Sequence, residues 1–339
     1  MDDNAVTFQF KAMNTTVACT LSCSSEAEAE LLEGEAQSWF DYVEDRFSRF
    51  VPDSELSRLN RHAGSSFLVS AAMLEVLQLS DLYRELTDGT FDPFVREALL
   101  RSGYSRSFEE LAAGAAASHA GEALNRTPRL PFKLDAAMRS VLLPAGSSLD
   151  LGGIVKSWAV KRLADWFRTK RQTAFGLINA GGDLTAWGAP EAAPWRIGIE
   201  HPWESRSELG RIWLTAGASA TSSTLGRLWQ TNAGTMHHLI DPATMAPSSS
   251  DIVQCTTAGS DPVACEIWAK TLCILGSEAG LSLLSRRAAP VEALLFSRDR
   301  RLIFYGSPSS IHSTWRNVPI DQLVEPSVPY RRKEGERLD

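Results

Sequence analysis

The 339-residue sequence contains no apolar run of transmembrane length, and its opening "MDDNAVTFQF" carries two acids where a secretory leader would carry positive charge. These absences lead us to expect a soluble chain that stays in the cytoplasm, without membrane insertion. Basic residues are in deficit: 34 Lys and Arg stand against 41 Asp and Glu, a formal net charge of -7. Binding a phosphate backbone needs a concentrated basic footprint, so nucleic acid is not the expected partner, although a local basic pocket is still allowed. Cysteine is sparse and lacks metal spacing. Cys19, Cys23, Cys255, Cys265 and Cys273 form an odd set with no second pair or histidine cluster to complete a zinc site, so reduced, packed thiols are expected. Neither the Walker phosphate loop nor the dinucleotide fingerprint is present, and no internal repeat is sustained.

What is there is ordinary globular material, 44% hydrophobic and 22% charged, in a chain long enough for two domains or one two-lobed unit. Residues 6–23 alternate as one or two strands do. Helical periodicity runs from Ser25 to about Phe47, over residues 70–86 behind Ser70, and from about Gly152 to Lys170. Residues 132–149 read as strands, as do "AFGLINAGGDLTAWG", "WRIGIEHPW", "GRIWLTAGASATSS", "VQCTTAG" and a final pair in "VEALLFSRDRRLIFYG". Long helices mixed with short strands, without regular βαβ alternation, predict an α+β architecture. The expected folded unit spans residues 1–324, with a variable Ala- and Gly-rich surface segment at about 107–131 and a frayed tail at 325–339.

Several stretches carry chemistry. "DLGGIVKSW" sets Asp150, Gly152 and Gly153 before a helix and Lys156 one turn in. Paired glycines, unpaired N–H groups and a lysine suit an anion, but the same pattern also makes a tight strand-to-helix turn. "NAGGDL" places Asn179, Gly181, Gly182 and Asp183 after an apolar strand, as a ligand-facing loop or a hairpin turn. In "HHLIDP" a histidine is the natural general base and Asp241 a nearby acid. Adjacent strand residues face opposite ways, so one histidine at most faces a site, and His237 reads as structural. Asp88 and Asp92 in "TDGTFDPF" either bind a ligand or close Asx-type turns. "CEIWAKTL" sets Glu266 and Lys270 four apart on one face of an apolar helix, where an exposed pair contributes only a few tenths of a kcal/mol.

In this order, "MNTT" at 13–16, "FSRFVPDSELSRLN" at 47–60, "GTFDP" at 89–93, "LDLGGIVKSWAV" at 149–160, "INAGGDL" at 178–184, "ATSS" at 220–223 and "HHLIDPATMAP" at 237–247 resemble the ApbE family of flavin transferases. The likeness covers roughly residues 8–305 and rests on the order and spacing of the motifs. It implies a two-lobed α+β fold with mixed, largely antiparallel sheets, and an FAD cleft between lobes. It also implies transfer of FMN from FAD to a Thr or Ser hydroxyl of an acceptor protein with release of AMP. The FAD contacts implied are Met13, Phe50, Thr90, Phe91, Asp92, Asp150, Lys156, Gly181, Gly182 and Asp183, and His238, with Asp241, is implied to activate the acceptor hydroxyl.

Phe50 stands where the family often has tyrosine, so it keeps the ring and loses the hydroxyl. Family members also bind magnesium through the last helix and the carbonyl at the position of Gly153. The family's Asp and Thr are here Glu266 and Lys270, and a protonated lysine cannot ligate magnesium. The expectation is that Lys270, held by Glu266, replaces the ion; otherwise the reaction is lost. A non-catalytic FAD-binding protein (a carrier or assembly factor) and an FAD pyrophosphatase are the rival readings. "DPATMAP" puts Met245 where the family has glycine, so that turn must be rebuilt.

Overall fold

A computed structural model describes residues 5–106, 108, 111, 132–189, 193–204, 207–232 and 234–327. The segment read as a variable surface stretch and most of the tail therefore lie outside the described residues. Its centre is a nine-stranded sheet in the order Ala5–Ala12, Thr15–Ser22, Gly176–Ala180, Asp183–Trp187, Gly217–Ser223, Ile252–Gly259, Val291–Ser297, Leu302–Tyr305 and Gln322–Val324. Every neighbouring pair in it is antiparallel except the last, which is parallel. The fold is α+β, with mixed and mostly antiparallel sheets.

The period-2 alternation of strands sends side chains to both faces, and both are covered. Ala218, Ala220, Cys255, Ala293 and Leu295 pack under the helices, in the larger core. Val253, Leu294, Phe296 and Phe304 face a three-stranded sheet of Trp195–Glu200, Glu208–Leu214 and Trp315–Arg316, meeting Ile199, Ile212 and Trp315. A third, smaller cluster joins Leu99 and Tyr104 to Trp229 and Ile240 over the hairpin Leu228–Thr231 and Gly234–His237.

Side-chain caps start three of the helices, the first two where the sequence places them. Ser25 accepts from Glu28 N ahead of Glu26–Phe47, and Ser70 accepts from Met73 N ahead of Ala71–Leu86. Asp261 accepts from Val263 N ahead of Pro262–Leu275, with proline in the first turn. Small residues at Ala218 and Ala220 let that last helix lie close on the sheet, where Thr257 Oγ1 donates to Cys265 O at 2.8 Å.

Three expectations need adjustment. The helix after Gly152 spans Val155–Thr169, because Asp150 Oδ1 accepts from Gly152 N at 2.8 Å and holds the glycines in a turn. Residues 132–149 reduce to two short strands, Lys133–Asp135 and Ser140–Leu142. The run "GRIWLTAGASATSS" breaks after Leu214, and its halves join different sheets. Among the described residues no helix is long and apolar enough to cross a membrane. The five thiols are free, four of them buried.

Candidate functional site

A cavity of about 970 Å³ opens where the two central hairpins, the start of Val155–Thr169 and the helix Pro262–Leu275 converge. One wall is hydroxylated because period 2 puts Ser219, Thr221 and Ser223 on the side of their strand away from Ala218 and Ala220. The cavity collects fourteen sequence-flagged positions: Met13, Phe50, Thr90, Phe91, Asp92, Asp150, Gly153, Lys156, Gly181, Gly182, Asp183, His238, Glu266 and Lys270.

Asp241 stands apart from these fourteen. It does not line the cavity; its carboxylate accepts from Ala243 N at 2.8 Å and its carbonyl from Met245 N at 2.8 Å, closing the turn that follows. The acid beside Pro242 is a turn former.

The glycine turns are shaped by close approach. Gly181 and Gly182 have φ of 63° and 96°, and a Cβ on Gly181 would fall 2.2 Å from Thr15 Oγ1. Met13 and Asn14 are also left-handed, at 49° and 56°, which makes the tight turn between the first two strands, and Glu44 accepts from Met13 N at 3.0 Å. This brings "MNTT" and "NAGGD" together across one wall. Asp92 is spent partly on structure: Oδ1 accepts from Phe94 N at 2.8 Å and Oδ2 lies 3.5 Å from Arg84 Nε.

Four charged groups meet at the buried end. Lys156 donates to Asp183 in a short ion pair. Glu266, 4% exposed, accepts from Ser157 Oγ at 2.6 Å and from Lys270 Nζ at 3.3 Å, while the same ammonium donates to Gly153 O at 3.2 Å. Burial pushes the Asp183 carboxyl up to about 6, with the charge of Glu266 adding to it and Lys156 opposing. Burial also acts to raise the Glu266 carboxyl, but Lys270 and Lys156 outweigh it and hold it below the ordinary value. For Lys156, burial favours the neutral amine, and the two carboxylates more than offset this, so it stays an ammonium.

His238 lines the cavity with its Nδ1 buried and without a hydrogen-bond partner. Burial first, then the cations Arg227 and Lys270, hold it well below the ordinary histidine value, so it is the neutral imidazole. His237, the last residue of the strand Gly234–His237, is buried with Nε2 3.0 Å from Ser248 O and does not line the cavity.

Sequence reasoning passed over the aromatic rim. The Arg49 guanidinium carbon lies 4.4 Å from the ring centroids of both Phe50 and Tyr104, while its Nε meets Asp150 at 2.8 Å. Tyr104 stacks on Trp229 at 5.0 Å. Phe50 is 37% exposed at the mouth, available to a planar ligand. Arg49 was legible beside Phe50 in "FSRF"; Tyr104 and Trp229 belong to no motif and meet only through the fold.

An α+β fold with a large cavity, lined by paired lysines and carboxylates at its buried end and by Phe50, Arg49 and Tyr104 elsewhere, defines a protein suited to a ligand with a planar ring and an anionic centre. The ApbE family model matches residues 13–295, and the chain belongs to the ApbE family. An FAD:protein FMN transferase of Vibrio cholerae serotype O1 is 25% identical over 278 residues, covering 80% of this chain and 82% of that relative. One from Treponema pallidum is 26% identical over 269 residues, covering 74% and 72%. Among solved structures, the ApbE protein of Thermotoga maritima superposes with a TM-score of 0.78 at 23% identity, covering 88% of this chain and 96% of that one. The flavin transferase ApbE of Vibrio cholerae gives 0.69 at 23%, covering 87% and 95%.

Proposed function

We propose that this protein is an FAD:protein FMN transferase, moving FMN from FAD to the hydroxyl of a threonine or serine in an acceptor protein and releasing AMP. The named relatives support the reaction. The observation that carries it to this chain is His238, a neutral histidine with an unpartnered buried Nδ1, set in the same cavity as Lys156, Lys270 and Arg227.

The reaction has a weak nucleophile and a charged electrophile, so orientation and charge offset are what the site must supply. The acceptor oxygen bonds to the FMN-side phosphorus of FAD as its proton passes to the His238 imidazole. The bond from that phosphorus to the bridging oxygen breaks, and AMP leaves with the electron pair. Lys270 has three N–H donors, of which Gly153 and Glu266 take two, so the third is the one a bound diphosphate meets. The rim of Phe50, Arg49 and Tyr104 gives the flavin a stacking surface.

The resemblance also brings a magnesium ion, and the residues present do not fit it. The carbonyl of Gly153 and the carboxylate of Glu266 are both engaged by the Lys270 ammonium, and Asp183 is engaged by Lys156. Among the described residues no group of three or more His, Cys, Asp or Glu is placed to hold a metal ion.

The test is to incubate the protein with FAD and a library of Thr- and Ser-containing peptides, then score peptide mass and AMP. An FMN adduct with an equal amount of AMP is expected. AMP without adduct would make it a pyrophosphatase, and retained FAD with neither product would make it a flavin-binding protein.

A further inference from the structure

We propose that Lys270 is the resident cation of this site: a tethered ammonium stands between the Gly153 carbonyl and the Glu266 carboxylate and offsets the diphosphate charge without a divalent metal ion. The inference rests on the reading that FAD occupies the cavity.

The place is physically filled. A Cβ built on Gly153 would fall 2.9 Å from Lys270 Nζ and 3.2 Å from its Cε, so the lysine end lies directly over that turn. A magnesium ion demands oxygen ligands at about 2.0–2.1 Å in octahedral array. To reach Gly153 O and Glu266 it would have to displace an ammonium that already hydrogen-bonds both. A third oxygen donor, Asp183, is held by a second ammonium, so an incoming dication meets two positive charges at short range.

The charges also balance without it. Asp183 and Glu266 carry two negative charges, Lys156 and Lys270 two positive ones, and Arg227 lines the same cavity. A buried acid pair lacking these lysines would need a cation for neutrality; this one does not. The ammonium is fixed as a metal would be. Helical spacing puts Lys270 one turn beyond Glu266 on the same face, Ser157 orients the carboxylate at 2.6 Å, and the lysine side chain is 16% exposed. A flexible surface lysine would offer charge without position; this one offers both.

The experiment uses the full chain and three readouts that need no acceptor. FAD binding is followed by quenching of flavin fluorescence in excess EDTA and in excess Mg²⁺, and Mn²⁺ binding by electron paramagnetic resonance with FAD present. Wild type is expected to bind FAD equally in both media and to hold no Mn²⁺ in the cavity. Lys270→Met keeps the stem and removes the charge, and in EDTA it should bind FAD at least about tenfold more weakly, the loss of one charge-assisted contact. Lys270→Thr opens the space and frees the oxygens of Gly153 and Glu266, so Mn²⁺ should now bind and strengthen FAD binding. Absence of FAD binding by wild type in both media sinks the functional reading. FAD binding by wild type that collapses on chelation, or a stoichiometric Mn²⁺ in wild type, overturns the present proposal and leaves that reading standing.

Discussion

The ammonium of Lys270 and the carbonyl of Gly153, 117 residues apart in sequence, are joined by a 3.2 Å hydrogen bond that ties the helix Pro262–Leu275 to the glycine turn before Val155–Thr169. A methyl at Gly153 would push the Lys270 ammonium out of the place where Gly153 O and Glu266 hold it, without touching rigid backbone, and Gly153 is not among the positive-φ glycines, so the backbone accepts a side chain. Gly153→Ala should therefore cost under about 1 kcal/mol in stability while weakening FAD binding severalfold. Urea unfolding and a fluorescence titration on the same preparation separate the two effects. A variant that unfolds readily but binds FAD normally would contradict this account.

Glu266 is the counter-charge for two lysines. With its side chain 5% exposed, deletion leaves Lys270 without its salt bridge and Lys156 with Asp183 as its remaining anion. Glu266→Ala should destabilise the fold by about 3–5 kcal/mol, since breaking a buried pair strands the remaining charge. Glu266→Gln keeps an acceptor for Ser157 and Lys270 and should cost clearly less. Equal losses in the two variants, read from denaturant midpoints, would mean that packing rather than charge sets the cost.

The suppressed basicity of His238 makes a signed pH prediction. Folded, it resists protonation because of burial and the cations around it; unfolded, it titrates near the ordinary value of about 6.5. Its contribution to stability is thus fully present above that value and is lost as pH falls through it, by at most about 1.4 kcal/mol per pH unit for one proton. Asp183 acts in the opposite sense below about 6, because the folded state takes up that proton first. Comparing wild type with His238→Gln removes the Asp183 contribution from the difference. The variant should gain on wild type as pH is lowered from 7.5 to 5, and it should lose transfer while keeping FAD. A stability difference that does not change with pH would refute the buried neutral assignment.

How far the sequence could be read follows the range of the interactions. Ser25 and Ser70 cap helices through contacts three residues away, so those starts were legible. The start at Gly152 was misread because an Asx turn from Asp150 delays the helix to Val155, a competition between two local patterns with similar residues. The motifs lining the cavity were legible as separate turns, and their meeting was supplied by family likeness rather than by pattern. Asp241 reads in the sequence both as the acid near His238 and as part of the turn signal "DPAT", and its carboxylate accepts from Ala243 N in that turn. Tyr104 and Trp229 could not be found: no periodicity links two aromatics that stack at 5.0 Å from distant segments.

Met245 holds the left-handed conformation, φ 55°, that a glycine adopts without cost, so the turn after Asp241 is built with a residue strained by it. Strain of this kind costs about 1–2 kcal/mol in a non-glycine residue. The offset is packing, since Met245 lies against the cluster of Leu99, Tyr104, Trp229 and Ile240. Met245→Gly removes strain and packing together and adds the conformational entropy of glycine, so the net change should stay within about 1 kcal/mol. Met245→Val keeps apolar character but puts a β-branched side chain at positive φ, where it is least tolerated, and should destabilise by about 2 kcal/mol or more. Thermal unfolding of the two variants decides the matter. If valine is tolerated as well as glycine, the turn has moved out of the left-handed region and the packing of Met245 is what fixes the loop.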